Sequence, residues 1–192
     1  MISLKIEPSI SREERNTSTL SEIQRGTVCL NFTLNRQARS NWCWASIAEA
    51  CEKYLFGKVV TQNDLAYKFQ SYKKKSALPN SEESNRQESL EKVLTFLSCY
   101  SHWNPGRPNL ERIDQEIRSY KPIFLSLDWK NSGSHFVALT GCSLERNEIR
   151  IDDPLHGSSW QNFDLFPQTY RSEGTVWRNT YWVSESLLPK YQ

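Results

Sequence analysis

Apolar positions along the chain fall into two regimes. In the first half they recur at helical spacing. Trp42 to Leu55 (WCWASIAEACEKYL) is apolar nearly all round, as a buried helix would be, with Asn41 as its expected cap and Gly57 as its terminator. Thr61-Gln62-Asn63-Asp64 resembles a capping box, with Asp in place of the usual Glu or Gln, and opens a helix over Leu65, Ala66 and Phe69. Ser89 to Leu97 reads as a helix, and Asn109 caps another carrying Leu110, Ile113 and Ile117. After Pro122 the pattern changes to short runs divided by Gly, Asn and Asp: Pro122 to Leu127, His135 to Thr140, Glu148 to Ile151, and Thr175 to Val183. These predict strands, as does the alternation from Val28 to Leu34. Helices first and strands after is the α+β pattern. It divides the chain into a polar, flexible N-terminal arm (1–27), a helical lobe (28–120) and a β lobe (121–192). The polar stretch 71–88 reads as an exposed insertion.

Composition narrows the choice of partner. A formal net charge of +2 calls for neither nucleic acid nor an anionic membrane surface. No run reaches the roughly 18 apolar residues of a membrane helix, and the N-terminus lacks the apolar centre of a signal peptide. Five cysteines, an odd number with no C-x-x-C pair, argue against a disulfide framework and against a zinc ribbon. The cysteines and histidines also lack metal-ligand spacing, so no metal is expected. A reducing cytosol is the expected setting, or export by a route without a cleavable signal.

Four side chains carry the candidate chemistry, the last of them one of two neighbouring aspartates. Cys43 sits at the start of the first helix, where the helix dipole and unpaired backbone N–H groups favour thiolate. Gln37, six positions earlier in a polar loop, has an amide that can join the backbone N–H of Cys43 in holding an oxyanion. His135 opens an apolar strand, so its backbone is fixed while its ring reaches out as a base. Asp152 and Asp153 end the strand before Pro154. Alternation puts Asp153 on the face of Ile149 and Ile151, toward His135, and leaves Asp152 to meet solvent. Either carboxylate remains open as the partner of the imidazole at this point.

Together these segments resemble a known family. Gln37…Asn41-Trp42-Cys43-Trp44-Ala45-Ser46 is similar to the Q-x5-C-W-A segment of papain-like cysteine peptidases. Ser134-His135-Phe136-Val137-Ala138-Leu139-Thr140-Gly141 resembles their histidine strand, and Ile151-Asp152-Asp153-Pro154 the strand ending in Asp-Pro. The likeness is nearest to the bacterial branch that holds bacteriocin-leader peptidases and the effector proteases injected by plant pathogens. Ser134 stands where Gly is common, and Trp42 replaces the small residue of papain itself. The resemblance implies a papain-like fold, with a helical lobe carrying the nucleophile helix packed on a mostly antiparallel β lobe. It also implies Cys43 as nucleophile, His135 as base, Asp153 as its partner and Gln37 in the oxyanion hole, acting on peptide or isopeptide bonds of a protein or peptide substrate. Acyl transfer to amines on the same three groups, and a silent peptide-binding module, are the alternatives. An activating partner is unspecified by the residues.

Overall fold

The structure is a computed structural model that describes residues 26–73, 82–130, 133–171 and 174–184. The predicted arm therefore lies outside the described residues except for Gly26 and Thr27. Seven strands form one antiparallel sheet: β1 (Val28–Cys29), β2 (Tyr100–Pro105), β3 (Ile123–Trp129), β4 (Gly133–Ser143), β5 (Glu148–Asp153), β6 (Gly157–Asn162) and β7 (Val176–Val183). Their order is β2-β7-β3-β4-β5-β6, with β1 pairing onto β4. Four α-helices accompany them among the described residues: α1 (Cys43–Phe56), α2 (Gln62–Tyr72), α3 (Leu90–Phe96) and α4 (Leu110–Arg118). The fold is α+β and papain-like. No helix among the described residues is long and apolar enough to cross a membrane.

Helix α1 is the centre of the helical side. Trp44, Ala45, Ile47 and Cys51 are fully buried along it, so apolar residues face inward on nearly every side. Packing rather than propensity holds such a helix together. Its end is a Schellman-type stop: Gly57 is left-handed at φ 65°, and the N–H groups of Gly57 and Lys58 close on the carbonyls of Lys53 and Glu52. Its start differs from the expectation. The cap position is Trp42, no side chain bonds to the first turn, and Asn41 turns instead to Asn85. By contrast Thr61 and Asn109 cap α2 and α4 through their side-chain oxygens, as expected, and Ser89, read as the first residue of its helix, caps α3 in the same way.

The sheet departs from the sequence reading in two places. Strand β2 runs through Tyr100–Pro105, inside the stretch assigned to the helical lobe, and pairs with β7. Strand β6 runs through Gly157–Asn162. Both lie at sheet edges, with mostly exposed side chains, so neither has the apolar run that betrays a buried strand. Trp103 and Trp160 belong to these two edges. The insertion expected at 71–88 is also different where it is described. Ser71 and Tyr72 extend α2, and Ser84 and Glu88 are buried. The carbonyl of Ser84 accepts from Trp42 Nε1 (2.8 Å) and from Gln70 Nε2 (2.9 Å), and the carbonyl of Arg86 accepts from Trp44 Nε1 (2.8 Å). Asn85 pairs with the backbone of Asn41 and with Ser40. A polar segment thus satisfies the buried indole N–H groups on either side of Cys43.

Register fixes what faces what. Leu139 lies opposite Ile151 and Ala138 opposite Asp152, with an irregularity between Leu139 and Gly141. Paired residues share a face, so Ile151 and Asp153 lie on the side of Leu139, Val137 and His135. Asp152 belongs to the opposite face. Gly141 lies where the strands crowd: a Cβ there would meet Arg150 Cβ at 2.9 Å, Trp160 Cη2 at 3.0 Å and the Val28 carbonyl at 3.1 Å. Two of these neighbours are fixed by the sheet. Gly141→Ala is expected to lower stability by about 1–3 kcal/mol, read as a lower urea midpoint at unchanged slope. A midpoint equal to wild type would contradict this register.

Candidate active site

Three of the four residues singled out in the sequence meet at the junction of α1 and the β4–β5 pair. Cys43 is the first residue of α1, and its thiol is close enough to the His135 ring to raise the ring's affinity for a proton. His135 stands near the start of β4 opposite Leu127 of β3. Its Nε2 meets Asp153 Oδ1 at 2.8 Å, and both side chains are buried. An ionised carboxylate only accepts, so Nε2 carries the proton and donates. Nδ1 is then the nitrogen left for Cys43.

The strand mouth holds this geometry. Ser134 donates its hydroxyl to Asp128 at 2.7 Å, and Arg178 of β7 donates to the other oxygen of Asp128 at 3.0 Å. Gln87 reaches from the segment before α3 to the Ser134 carbonyl at 3.3 Å. The Trp129 ring stacks on the His135 imidazole, with centroids 5.0 Å apart and planes 26° from parallel. Trp129 therefore covers the imidazole.

Electrostatics follow from these contacts. Burial pulls the His135 pKa down, but hydrogen bonds to Asp153 and Cys43 outweigh it and raise it to about 9. Burial pushes Asp153 up, and this is overcome by the His135 ring and charge, the Leu155 N–H and the Tyr170 hydroxyl, so its pKa is lowered. Asp153 Oδ1 accepts from Leu155 N at 2.7 Å and His156 N at 3.2 Å, while Oδ2 accepts from Tyr170 Oη at 2.8 Å. The Asp-Pro turn that follows β5 thus supplies amide donors to the carboxylate.

Asp152 corrects an expectation. It is buried rather than solvated, accepts from Thr140 Oγ1 at 2.6 Å and pairs with Arg150 Nε at 3.2 Å. It lies on the far face of the sheet, where alternation put it, but Thr140 and Arg150 cover it. Gln37 is also placed differently from the expectation of a free donor. Its amide nitrogen gives its hydrogens to the carbonyls of Arg39 (2.8 Å) and Ser40 (2.7 Å), and its buried Oε1 has no hydrogen-bond partner among the described residues. The Gln37 backbone N–H bonds the Pro154 carbonyl at 2.9 Å, tying the loop before α1 to the turn after Asp153.

Tyr170 and Asn85 are contacts that the sequence did not reveal. Each is a single polar or aromatic residue in an irregular stretch, with no period or motif to mark it. Among the described residues no group of three His, Cys, Asp or Glu is placed to hold a metal ion.

A thiol at a helix start, an imidazole against it and a carboxylate behind the imidazole can perform nucleophilic acyl chemistry. The sequence profile of a family described as papain-like cysteine protease AvrRpt2 (Peptidase_C70) matches residues 22–171. The chain belongs to this family. It is a papain-like cysteine peptidase. Two solved structures share the fold of the protease. The peptidase domain of Streptococcus ComA, described as a bi-functional ABC transporter involved in a quorum-sensing pathway, is 10% identical; the match covers 80% of this chain and 98% of that one, with a TM-score of 0.50. Procathepsin L 3 of the Tenebrio molitor larval midgut is 9% identical over 88% of this chain and 79% of that one, with a TM-score of 0.51. A search of curated proteins returned no match.

The pKa shifts give the protease a pH signature. The folded His135 ring keeps its proton to about pH 9, against an ordinary value of 6.5. Its protonated form therefore stabilises the fold fully below about pH 6.5, and this contribution fades as pH rises toward 9. Asp153 acts in the opposite sense: its contribution is present above its ordinary value of 3.8 and is lost as pH falls through its lowered one. The gap in urea midpoint between wild type and His135→Ala is expected to narrow as pH is raised from about 6.5 to about 9. A gap independent of pH over that window would contradict the shift.

Proposed function

We propose that the protease hydrolyses peptide bonds through Cys43, His135 and Asp153 as a catalytic triad. The observation that carries this is the His135 ring set between the Cys43 thiol and the buried Asp153 carboxylate, in a chain of this family. His135 Nδ1 takes the Cys43 proton, and Asp153 holds the imidazolium through Nε2. The thiolate attacks the substrate carbonyl carbon, a C–S bond forms, and the carbonyl electrons move onto oxygen. The tetrahedral intermediate collapses as His135 returns the proton to the leaving amine. Water, deprotonated by His135, then attacks the thioester and releases the acid and the thiol.

The absent cap supports the placing of the oxyanion. The first N–H groups of a helix have no partner inside it, and no side chain among the described residues bonds to the first turn of α1. The backbone N–H of Cys43 is therefore available to the oxygen that becomes negative. Gln37 supplies the second donor when one of its amide hydrogens turns from the Ser40 carbonyl to the oxyanion. Such a donor lowers the barrier by about 2.7–4 kcal/mol in systems where it has been removed.

The test uses a proteome-derived peptide library, with cleavage read by mass spectrometry. Wild type is expected to cut, and Cys43→Ala to show no cleavage; equal cleavage by both would remove Cys43 from the chemistry. Hydroxylamine added to the reaction distinguishes hydrolysis from acyl transfer: products that are mostly hydroxamates would favour a transferase. Gln37→Ala is expected to lower kcat by a factor of about 10²–10³ while leaving the alkylation rate of Cys43 unchanged. A fall in both would make Gln37 a support of the loop alone.

A further inference from the structure

Tyr170 stands outside the three residues of the proposed triad, in the stretch between β6 and β7, yet it touches one of them. Its side chain is buried, and its hydroxyl donates to Asp153 Oδ2 at 2.8 Å. The two carboxylate oxygens are served unequally. Oδ1 receives the His135 ring and the N–H groups of Leu155 and His156, whereas Tyr170 is the donor that Oδ2 receives among the described residues. A buried carboxylate oxygen that loses its donor is costly, because no water replaces it. The carboxylate must then rotate, abandoning the geometry at Oδ1, or take up a proton.

The phenol is itself held in place. Its ring packs edge-on against Phe166 at 5.2 Å, and Phe166 in turn meets Trp177 of β7 at 5.7 Å. The Tyr170 N–H bonds the Pro167 carbonyl at 2.8 Å, and Thr175 Oγ1 donates to the Tyr170 carbonyl at 3.2 Å. Arg171 lies over the ring with its guanidinium carbon 5.0 Å from the centroid. Burial and the neighbouring Asp153 charge push the phenol far above its ordinary range, so it stays a donor at every working pH.

We propose that Tyr170 is a positioning residue of the protease, acting through Asp153: its hydroxyl locks the carboxylate so that Oδ1 faces His135 and stays ionised. This rests on the triad reading above. The charged and titratable groups around the carboxylate are His135 from β4, Tyr170 with Arg171 behind it, and Cys43 beyond the imidazole; Asp152 and Arg150 face the other side of the sheet. Loss of the hydroxyl leaves Asp153 easier to protonate. The imidazolium–thiolate pair then fails at a higher pH.

The experiment measures the rate of Cys43 alkylation by iodoacetamide, peptide by peptide, from about pH 4 to about pH 9. It compares wild type, Tyr170→Phe, Asp153→Asn and the double variant, all as the full chain. Tyr170→Phe is expected to slow alkylation at neutral pH on the order of tenfold and to move the acid limb of the profile upward by about one unit. In the Asp153→Asn background the same change is expected to have no further effect, since its target is gone. A Tyr170→Phe profile that superimposes on wild type would overturn the proposal. So would an effect of Tyr170→Phe that is undiminished in Asp153→Asn, which is what a merely structural tyrosine gives. If Tyr170→Phe lowers the melting temperature, the comparison of the double variant with Asp153→Asn still decides. Unselective labelling in wild type would instead count against the triad itself.

Discussion

The buried hydrogen bond between His135 and Asp153 is the contact on which the other features of the site depend. Two ionisable side chains sit almost out of reach of water at the mouth of a strand pair. Removing one member of such a pair leaves an uncompensated charge and costs about 3–5 kcal/mol. The surroundings therefore have to supply donors, and they do: two amide N–H groups from the turn after Asp153, and the Tyr170 hydroxyl. The same donors keep the carboxylate ionised, which raises the proton affinity of the imidazole, which lets the imidazole face a thiol as a charged partner. Stability and chemistry are set by one chain of contacts.

The second requirement is that α1 deliver Cys43 to that imidazole. An uncapped helix start is normally a defect, because its N–H groups lack acceptors. Here the start is held from outside. Asn85 pairs with Asn41 and Ser40, while the Ser84 and Arg86 carbonyls take the indole N–H groups of Trp42 and Trp44. The first turn is fixed without a side-chain acceptor being placed on it. Gln37 belongs to the same arrangement, since its amide closes the loop before the helix and its backbone reaches the turn beyond Asp153.

Much of this could be read from the chain, and the exceptions have physical causes. Cys43, His135 and Asp153, which the fold brings together, each sit at the boundary of a strongly patterned element; alternation put Asp152 and Asp153 on opposite faces but left open which of them meets the imidazole. The cover on Asp152 was not legible, because it comes from Thr140 and Arg150 across a pairing that the pattern does not encode. Edge strands β2 and β6 were missed because a strand exposed on its sides carries no apolar run. Residues 82–88 looked like a solvated loop because the groups they offer to the core are backbone carbonyls, which leave no trace in side-chain composition. Tyr170 is close in sequence to nothing it serves.

The central claim, that His135 activates Cys43, is tested most directly by mapping iodoacetamide labelling of the five cysteines at neutral pH in wild type and His135→Ala. The account predicts fast labelling at Cys43 in wild type and its loss in the variant. Cys29 is exposed where Cys43 is buried, and it serves as the comparison thiol within the same molecule. Cys43 labelling no faster than Cys29, or equally fast with and without His135, would contradict the account.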